Sequence, residues 1–561
     1  MTHRARSGVE LLLTGGRITT FAGADQGPAE VEAVAIGGGR VLAVGSAAQL
    51  EGYAGSAQRV VDLGGRRAIP GLVDSHIHAV RAGASWSVSL HWEDVRSVPE
   101  ALETIRARAA AVPPGTWIPV IGGWHRLQLA ERRVPTPQEL DAVAPEHPVY
   151  IQETYNVGVL NRAGLVACGW AGAETADPVR GELERDADGA PTGVILGTGA
   201  FAIPTQLALA VDRETASAGT VAMAQEFAAH GLTGVHDGGG MLVRPSDYEP
   251  LFDAWRAGAL PVRFRLFVCA WDRGGELANF DALTTYQQHD FGDDVLRVCG
   301  AGELVHTGCH DLEGMTEFEV SDGDAAELVD ISRLCAERGW RMSMHAVRAE
   351  TLTRVLDAWE QVEAQTGLVK GRRWSIVHAD AASPRQLDRI AALGLGVLFQ
   401  NRHTLKADDY LEAWGHDATA NAQPVDGVRR RGIPLGLGTD ATRANWFSPW
   451  ASIAWFVTGR AAGGGGVRSP EHLLSREEAL RGYSADAAWF TGEEDRRGRL
   501  VPGYDADLMV PTLDPFACGD DELADIRSDL TIMGGRITHA AGDFALAGER
   551  GAPTDSGRGL V

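Results

Sequence analysis

Ala68-Ile69-Pro70-Gly71-Leu72-Val73-Asp74-Ser75-His76-Ile77-His78 reads as an apolar strand, Ile69 to Val73, that runs out into a His-x-His pair. Side chains alternate faces along a strand, so residues i and i+2 point the same way. His76 and His78 can therefore aim two imidazoles at one point, an arrangement that suits a divalent metal. With 17 histidines in 561 residues, about 0.5 such pairs arise by chance, so the pair takes its meaning from context.

That context is a repeated strand-then-helix pattern. Apolar runs that read as buried parallel strands are Ile69–Val73, Thr233–His236, Arg263–Ala270, Leu296–Val305, Arg341–His345, Trp374–His378, Gly396–Gln400 and Pro434–Asp440. Helix-length segments such as Asp324–Glu337, Ala349–Thr366 and Pro384–Leu393 separate them. Eight strands with helical connections predict an α/β fold, a (β/α)8 TIM barrel whose chemistry sits at the C-terminal ends of its strands. His76, His78, Glu303, His345, His378 and Asp440 all fall late in a strand or just after one.

The two chain ends share a different pattern. Leu11-Leu12-Leu13-Thr14-Gly15-Gly16-Arg17-Ile18-Thr19 reads strand, Gly-rich turn, strand, and Leu530-Thr531-Ile532-Met533-Gly534-Gly535-Arg536-Ile537-Thr538 repeats its form. One small β-sandwich built from both termini, residues 1–68 and 500–547, accounts for this. The barrel takes residues 69–112 and 199–499. An insertion after barrel strand one, residues 113–198, emerges on the catalytic face as a lid or wall. The loop Ala461 to Gly466 is a candidate gate there, or a plain surface insertion. Residues 548–561 are Gly/Pro/Ser-rich and read as a disordered tail.

Composition narrows the partners. Apolar content of 44% and charged content of 22% are those of a soluble globular protein. A net charge of −24 offers no basic surface for nucleic acid. No stretch approaches the ~18 apolar residues of a membrane span. The first residues carry only a three-leucine run, too short for a signal-peptide core, so the expectation is a cytoplasmic chain. Its expected partners are a small-molecule substrate and, in a homodimer, a second copy of itself. Six scattered cysteines make neither a disulfide framework nor a thiolate zinc site, and Cys269 and Cys299 read as buried thiols.

Pro70-Gly71-Leu72-Val73-Asp74-Ser75-His76-Ile77-His78, the later His-containing strands, Leu437-Gly438-Thr439-Asp440-Ala441 and Pro502-Gly503-Tyr504-Asp505-Ala506-Asp507-Leu508 resemble the amidohydrolase superfamily. More narrowly, the chain is similar to the amidohydrolase 3 branch, which includes N-substituted formamide deformylase. Gly122-Gly123-Trp124, Pro135 to Asp141 and Pro191-Thr192-Gly193-Val194 resemble that branch's insertion, and Gln400-Asn401-Arg402-His403 its Gln-Pro-x-His pattern on strand seven.

The resemblance implies that His76, His78 and Asp440 hold one metal and that His345 and His378 hold a second. Many relatives bridge the two with a carbamylated lysine at the end of strand four. The only lysines here are Lys370, before strand six, and Lys406, after strand seven. Glu303 stands at the strand-four end and offers a carboxylate bridge. If it pairs elsewhere, the site is mononuclear, built from His76, His78, His345 and Asp440. Zinc suits these ligands; manganese or iron also fits them.

The implied reaction is hydrolysis of a non-peptide C–N bond, in an N-acyl or N-formyl amine, a cyclic amide or a related small molecule. Metal-activated hydroxide attacks, with Asp440 as general base and then acid. The alternative is a metal-dependent lyase or decarboxylase on the same scaffold; a metal-free binding protein is a third reading. Trp124, Tyr155, Asn156, Gln400 and His403 are candidate pocket residues, although Trp124 could simply anchor the insertion. Asn156 departs from the branch, which often carries His there. Arg443 could bind a substrate carboxylate or lie exposed in its loop.

Overall fold

The computed structural model describes residues 8–241 and 243–545. The expected tail over 548–561 lies outside them. Eight parallel strands form one continuous ladder: Leu72–Ile77, Leu232–Asp237, Arg263–Val268, Leu296–Ala301, Arg341–Ala346, Ser375–His378, Gly396–Gln400 and Leu435–Gly438. These are the eight runs read from the sequence, in the same order.

The ladder closes on itself. Asp440 N–H donates to His76 O (2.9 Å) and His78 N–H to Ala441 O (2.7 Å), joining strand eight to strand one at the end that carries the histidines. Asp74 pins the same seam from the side: it accepts from Thr439 Oγ1 (2.6 Å) and from the N–H groups of His76 (3.0 Å) and Thr439 (3.1 Å). The approach demands glycine at 438, where a Cβ would lie 2.6 Å from His76 N.

The outer helices follow their caps. Asp322–Glu337 begins on Ser321, Pro384–Leu393 on a Ser383/Gln386 capping box, and Ala349–Thr366 ends on Gly367 at φ 64°. Their apolar faces pack on strands buried on both sides. Each fully buried Leu, Ile, Val or Phe contributes about 1.5–3 kcal/mol by its removal from water.

The first quoted stretch is two strands rather than one. Arg67–Pro70 pairs with Leu508–Pro511 in a peripheral sheet, and only Leu72–Ile77 enters the barrel. Gly71 N–H donates to Asp507 O between them, so the break falls where the chain passes from one sheet to the other. Strand four also stops early. It ends at Ala301, which leaves Glu303 in the loop beyond it instead of inside the expected Leu296–Val305.

Both chain ends build the peripheral unit: a four-stranded sheet from residues 11–62, and a six-stranded sheet that includes Arg17–Thr19, Ser528–Met533 and Arg536–Ala540. Leu13, Ile18, Ile36, Leu508 and Ile532 share one core. The two Gly-Gly-Arg-Ile-Thr turns differ. Gly534-Gly535 closes a hairpin, whereas Gly15-Gly16 carries the chain from one sheet to the other.

Asp505 and Asp507 join this unit to the bottom of the barrel. Asp505 meets Arg497 (2.8 Å) and Asp507 meets Arg263 (2.9 Å), next to Arg265 on Glu493 (2.9 Å). Between strands one and two, a five-stranded sheet, Ile118–Ile121 through Pro191–Leu196, holds cores of its own. No helix among the described residues is long and apolar enough to cross a membrane.

Candidate metal centre

The ends of strands one, five, six and eight and the loop after strand four converge on one point. Glu303 sits at its middle. Its Oε1 lies 3.3 Å from His78 Nε2, and its Oε2 lies 3.2 Å from His76 Nε2, 3.5 Å from His345 Nδ1 and 3.8 Å from His378 Nε2. Asp440 Oδ1 closes the other side, 3.0 Å from His78 Nε2 and 3.6 Å from His76 Nε2. All six side chains are buried.

Local backbone holds these groups in place. Glu303 N–H donates to Gly238 O and Glu303 O accepts from His345 N–H, which clamps the residue on both sides. His378 and Asp440 take positive φ (75° and 59°), a conformation that costs about 1–3 kcal/mol for such residues and clusters at functional sites. His78 Nδ1 contacts Gly239 O at 2.9 Å, which places the ring proton there and turns the Nε2 lone pair inward.

The donor chemistry asks for a cation. His76 Nε2, Glu303 Oε2 and His345 Nδ1 are buried, close together and without a hydrogen-bond partner among the described residues. Unpaired buried groups of this kind are costly unless something joins them. Burial opposes a charge on His76, yet the Glu303 and Asp440 carboxylates push it up to about 10. Burial also opposes charge on Glu303 and Asp440, and the surrounding imidazoles nevertheless hold both well below the usual carboxylate range. Three overlapping sets each bring donor atoms within 4.8 Å of one another: His76/His78/Asp440, His76/Glu303/His378 and Glu303/His310/His345. The residues present fit one or two divalent ions.

Three neighbours escape a sequence reading built on strand ends. His310 stacks on His345 (3.8 Å between centroids, 14°), and burial together with His345 lowers it to about 3. Asp311 Oδ1 lies 2.8 Å from His345 Nε2. Arg402 is fully buried, donates to Asp380 (2.7 Å) and brings its Nε within 3.8 Å of Asp440 Oδ2. Lys406 Nζ donates to Glu313 (2.6 Å), away from the metal-ligand set. The only available signal was position, His310 and Asp311 after strand four and Arg402 after strand seven.

The candidate pocket residues scatter. Tyr155 accepts from Arg81 (3.2 Å) and lies under Lys406. Asn156 donates to Asp409 (2.7 Å). Gln400 is buried and donates to Leu398 O, and His403 stacks on Tyr410 with Nε2 3.5 Å from Asp380. Trp124 is fully buried against Trp92 in the core of the inserted sheet. The loop at 461–466 is bound at both sides, through Ala462 N–H to Thr404 O and through Arg132 to Gly463 O.

A further set, Glu276/His306/Glu327, also gathers donor atoms within 4.8 Å. His306 Nδ1 accepts from Gly308 N–H (3.1 Å), so its proton is on Nε2, 3.3 Å from Glu327. That ring offers a donor, not a lone pair for a cation.

A family profile, Amidohydro_3 (Amidohydrolase family), matches residues 59–539. The chain belongs to the amidohydrolase family. This amidohydrolase is 27% identical to N-substituted formamide deformylase of Arthrobacter pascens, over 91% of this chain and 95% of that one. Among solved structures it is similar to an uncharacterized metal-dependent hydrolase of Pyrococcus horikoshii (TM-score 0.65, 20% identity, 91% and 99% covered). It is also similar to the atrazine chlorohydrolase of Arthrobacter aurescens complexed with zinc (TM-score 0.52, 17%, 94% of each chain). These likenesses match the barrel fold. With family and donor cluster together, the amidohydrolase is a metal-dependent hydrolase.

Proposed function

We propose that this amidohydrolase cleaves the C–N bond of a small N-acyl or N-formyl amine, or of a related cyclic amide. The observation that carries the reading is the cluster around Glu303: four imidazoles and two carboxylates, buried at the mouth of the barrel, with inward-facing atoms left unpaired. The 27% identity to a formamide deformylase over nearly the whole chain supports the N-formyl class.

His76, His78 and Asp440 would hold one ion and His345 and His378 the other, with Glu303 between them. Zinc fits this donor set best, because neutral imidazoles and carboxylates are its usual ligands. When bound, such an ion polarises a carbonyl oxygen and lowers the pKa of water. Asp440 takes the proton from the attacking water and delivers it to the leaving nitrogen. His76, His78 and His378 hold that carboxylate in its ionised form, and Arg402 Nε lies 3.8 Å from its Oδ2. All six cysteines are free thiols, which supports a reducing, cytoplasmic setting.

A screen of N-formyl amines, N-acyl amines, lactams and carbamates with zinc- or manganese-loaded protein in oxygen-18 water tests the reading. Labelled carboxylate product is the expected result. Release of carbon dioxide without label in the acid would replace hydrolysis with decarboxylation.

A further inference from the structure

Most cations near the metal centre or deep in the barrel are matched to a carboxylate. Arg402 faces Asp380, Lys406 faces Glu313, Arg263 faces Asp507 and Arg265 faces Glu493. Arg81 and Arg443 break that pattern. Neither has a carboxylate within 4.0 Å, and the Arg443 side chain makes no hydrogen bond to any described residue. Arg81 donates to the Tyr155 hydroxyl (3.2 Å), and its Nε is buried without a hydrogen-bond partner among the described residues.

The two guanidinium groups are close enough to oppose each other. Burial, reinforced by Arg81, pulls Arg443 down to about 10. Two largely buried like charges with no carboxylate within 4.0 Å lack the close anion that would offset their desolvation; Glu303 and Asp440 act on Arg81 only from farther away. Their positions follow from the ligands. Arg81 lies one helical turn past His78, and Arg443 three residues past Asp440. A Cβ at Gly240 would lie 3.4 Å from His78 Nδ1 and 3.7 Å from Arg81 Nη1, so the guanidinium and the ligand ring stand over the same glycine.

The insertion fixes the second arginine. Gly122 and Gly123 take φ near +69° and +67°; a Cβ at Gly122 would meet Arg443 Cα at 2.3 Å, and Gly123 N–H donates to Arg443 O. Arg81 and Arg443 line a cavity of about 30 Å³ together with Ser85, His91, Thr442 and Glu93, whose carboxyl burial pushes up to about 8.

We propose that Arg81 and Arg443 bind a carboxylate of the substrate, which narrows the class to N-acyl or N-formyl amino acids and similar acids. The substrate assignment rests on the hydrolase reading above; the anion subsite rests on the two arginines alone. Charge-assisted bonds from a guanidinium to a carboxylate are about twice as strong as neutral ones and discriminate acid from amide.

The test separates the two claims. Calorimetric titration of the metal-loaded full chain uses hydrolysis-resistant N-methanesulfonyl glycine, leucine and phenylalanine, each against its primary amide. The acids are expected to bind about tenfold tighter or more. Arg443→Gln and Arg81→Gln should each erase most of that preference without changing the unfolding temperature. Equal binding of acids and amides, binding of neither, or a preference intact in both variants overturns the subsite. The acid–amide comparison on the unaltered protein stands whether or not the variants fold. Hydrolysis of the N-formyl counterparts is measured alongside: an acid preference without any hydrolysis refutes the hydrolase reading and leaves the subsite standing.

Discussion

The Nε2 of His345 lies 2.8 Å from Asp311 Oδ1, while the Nδ1 of the same ring faces Glu303 Oε2 at 3.5 Å. One imidazole thus joins a carboxylate that orients it to a carboxylate at the centre of the donor cluster. Asp311 is itself fixed by the N–H groups of Val347 and Arg348, and it draws the ring proton to Nε2 so that Nδ1 is free to coordinate.

Asp311→Asn removes that orientation without touching a ligand. Metal affinity is expected to fall about 10–100-fold. Elemental analysis after dialysis against a graded series of chelator concentrations measures the shift. Retention equal to the unaltered protein would remove Asp311 from the support of the site.

Glu303→Ala deletes the group that touches all four imidazoles. Metal content per chain should drop in protein purified without chelator, and wild-type occupancy would take Glu303 out of the ligand set. Chelation of the unaltered protein should abolish hydrolysis and lower the unfolding temperature, because an ion that binds only the folded state stabilises it by mass action. Added zinc should restore both.

Asp440→Asn keeps the shape of the side chain and one oxygen donor. The variant should retain most of its metal and lose turnover about 10²–10⁴-fold, the contribution typical of a positioned acid–base group. Undiminished kcat with normal metal content would rule out the proton-transfer role.

The lower end of the barrel gives a stability prediction with a pH sign. Glu493 faces Arg265, Arg297 and Arg497. Burial acts against its charge, but Arg265 and Arg497 outweigh this and hold it well below the usual carboxylate range. The folded state therefore binds the proton less readily than the unfolded chain, whose Glu titrates near about 4.3. The stabilisation is present above that pH and is lost as the solution becomes more acidic. Glu493→Gln should cost about 3 kcal/mol at neutral pH, since it strands buried guanidinium groups. The gap between the urea midpoints of the variant and the unaltered protein should narrow in acid. A gap independent of pH would mean that the loss is one of packing.

Much of the site was legible because its ligands sit where period-two strands end. His76, His78, His345, His378 and Asp440 each follow an apolar run, and a parallel barrel places the ends of such runs together. Glu303 follows from what the resemblance implies: many relatives bridge their metals with a lysine at the end of strand four, where this chain has no lysine and offers a glutamate. His310 and Asp311 lie in an irregular loop, where no periodicity relates a residue to its neighbours in space. Arg402 follows strand seven, where family resemblance drew attention to Gln400 and His403 instead.

The sequence by itself determined the eight strands and their order, because hydrophobic period is a local property, and its resemblance to a family pointed to the six candidate ligands. Only the tertiary structure decided where the first strand divides, since Gly71 lies where two different sheets meet. It alone set Glu303 between four imidazoles. It also left Arg81 and Arg443 without a carboxylate within 4.0 Å. Whether a buried charge is matched depends on side chains brought together from distant parts of the chain, and no spacing along the chain records that.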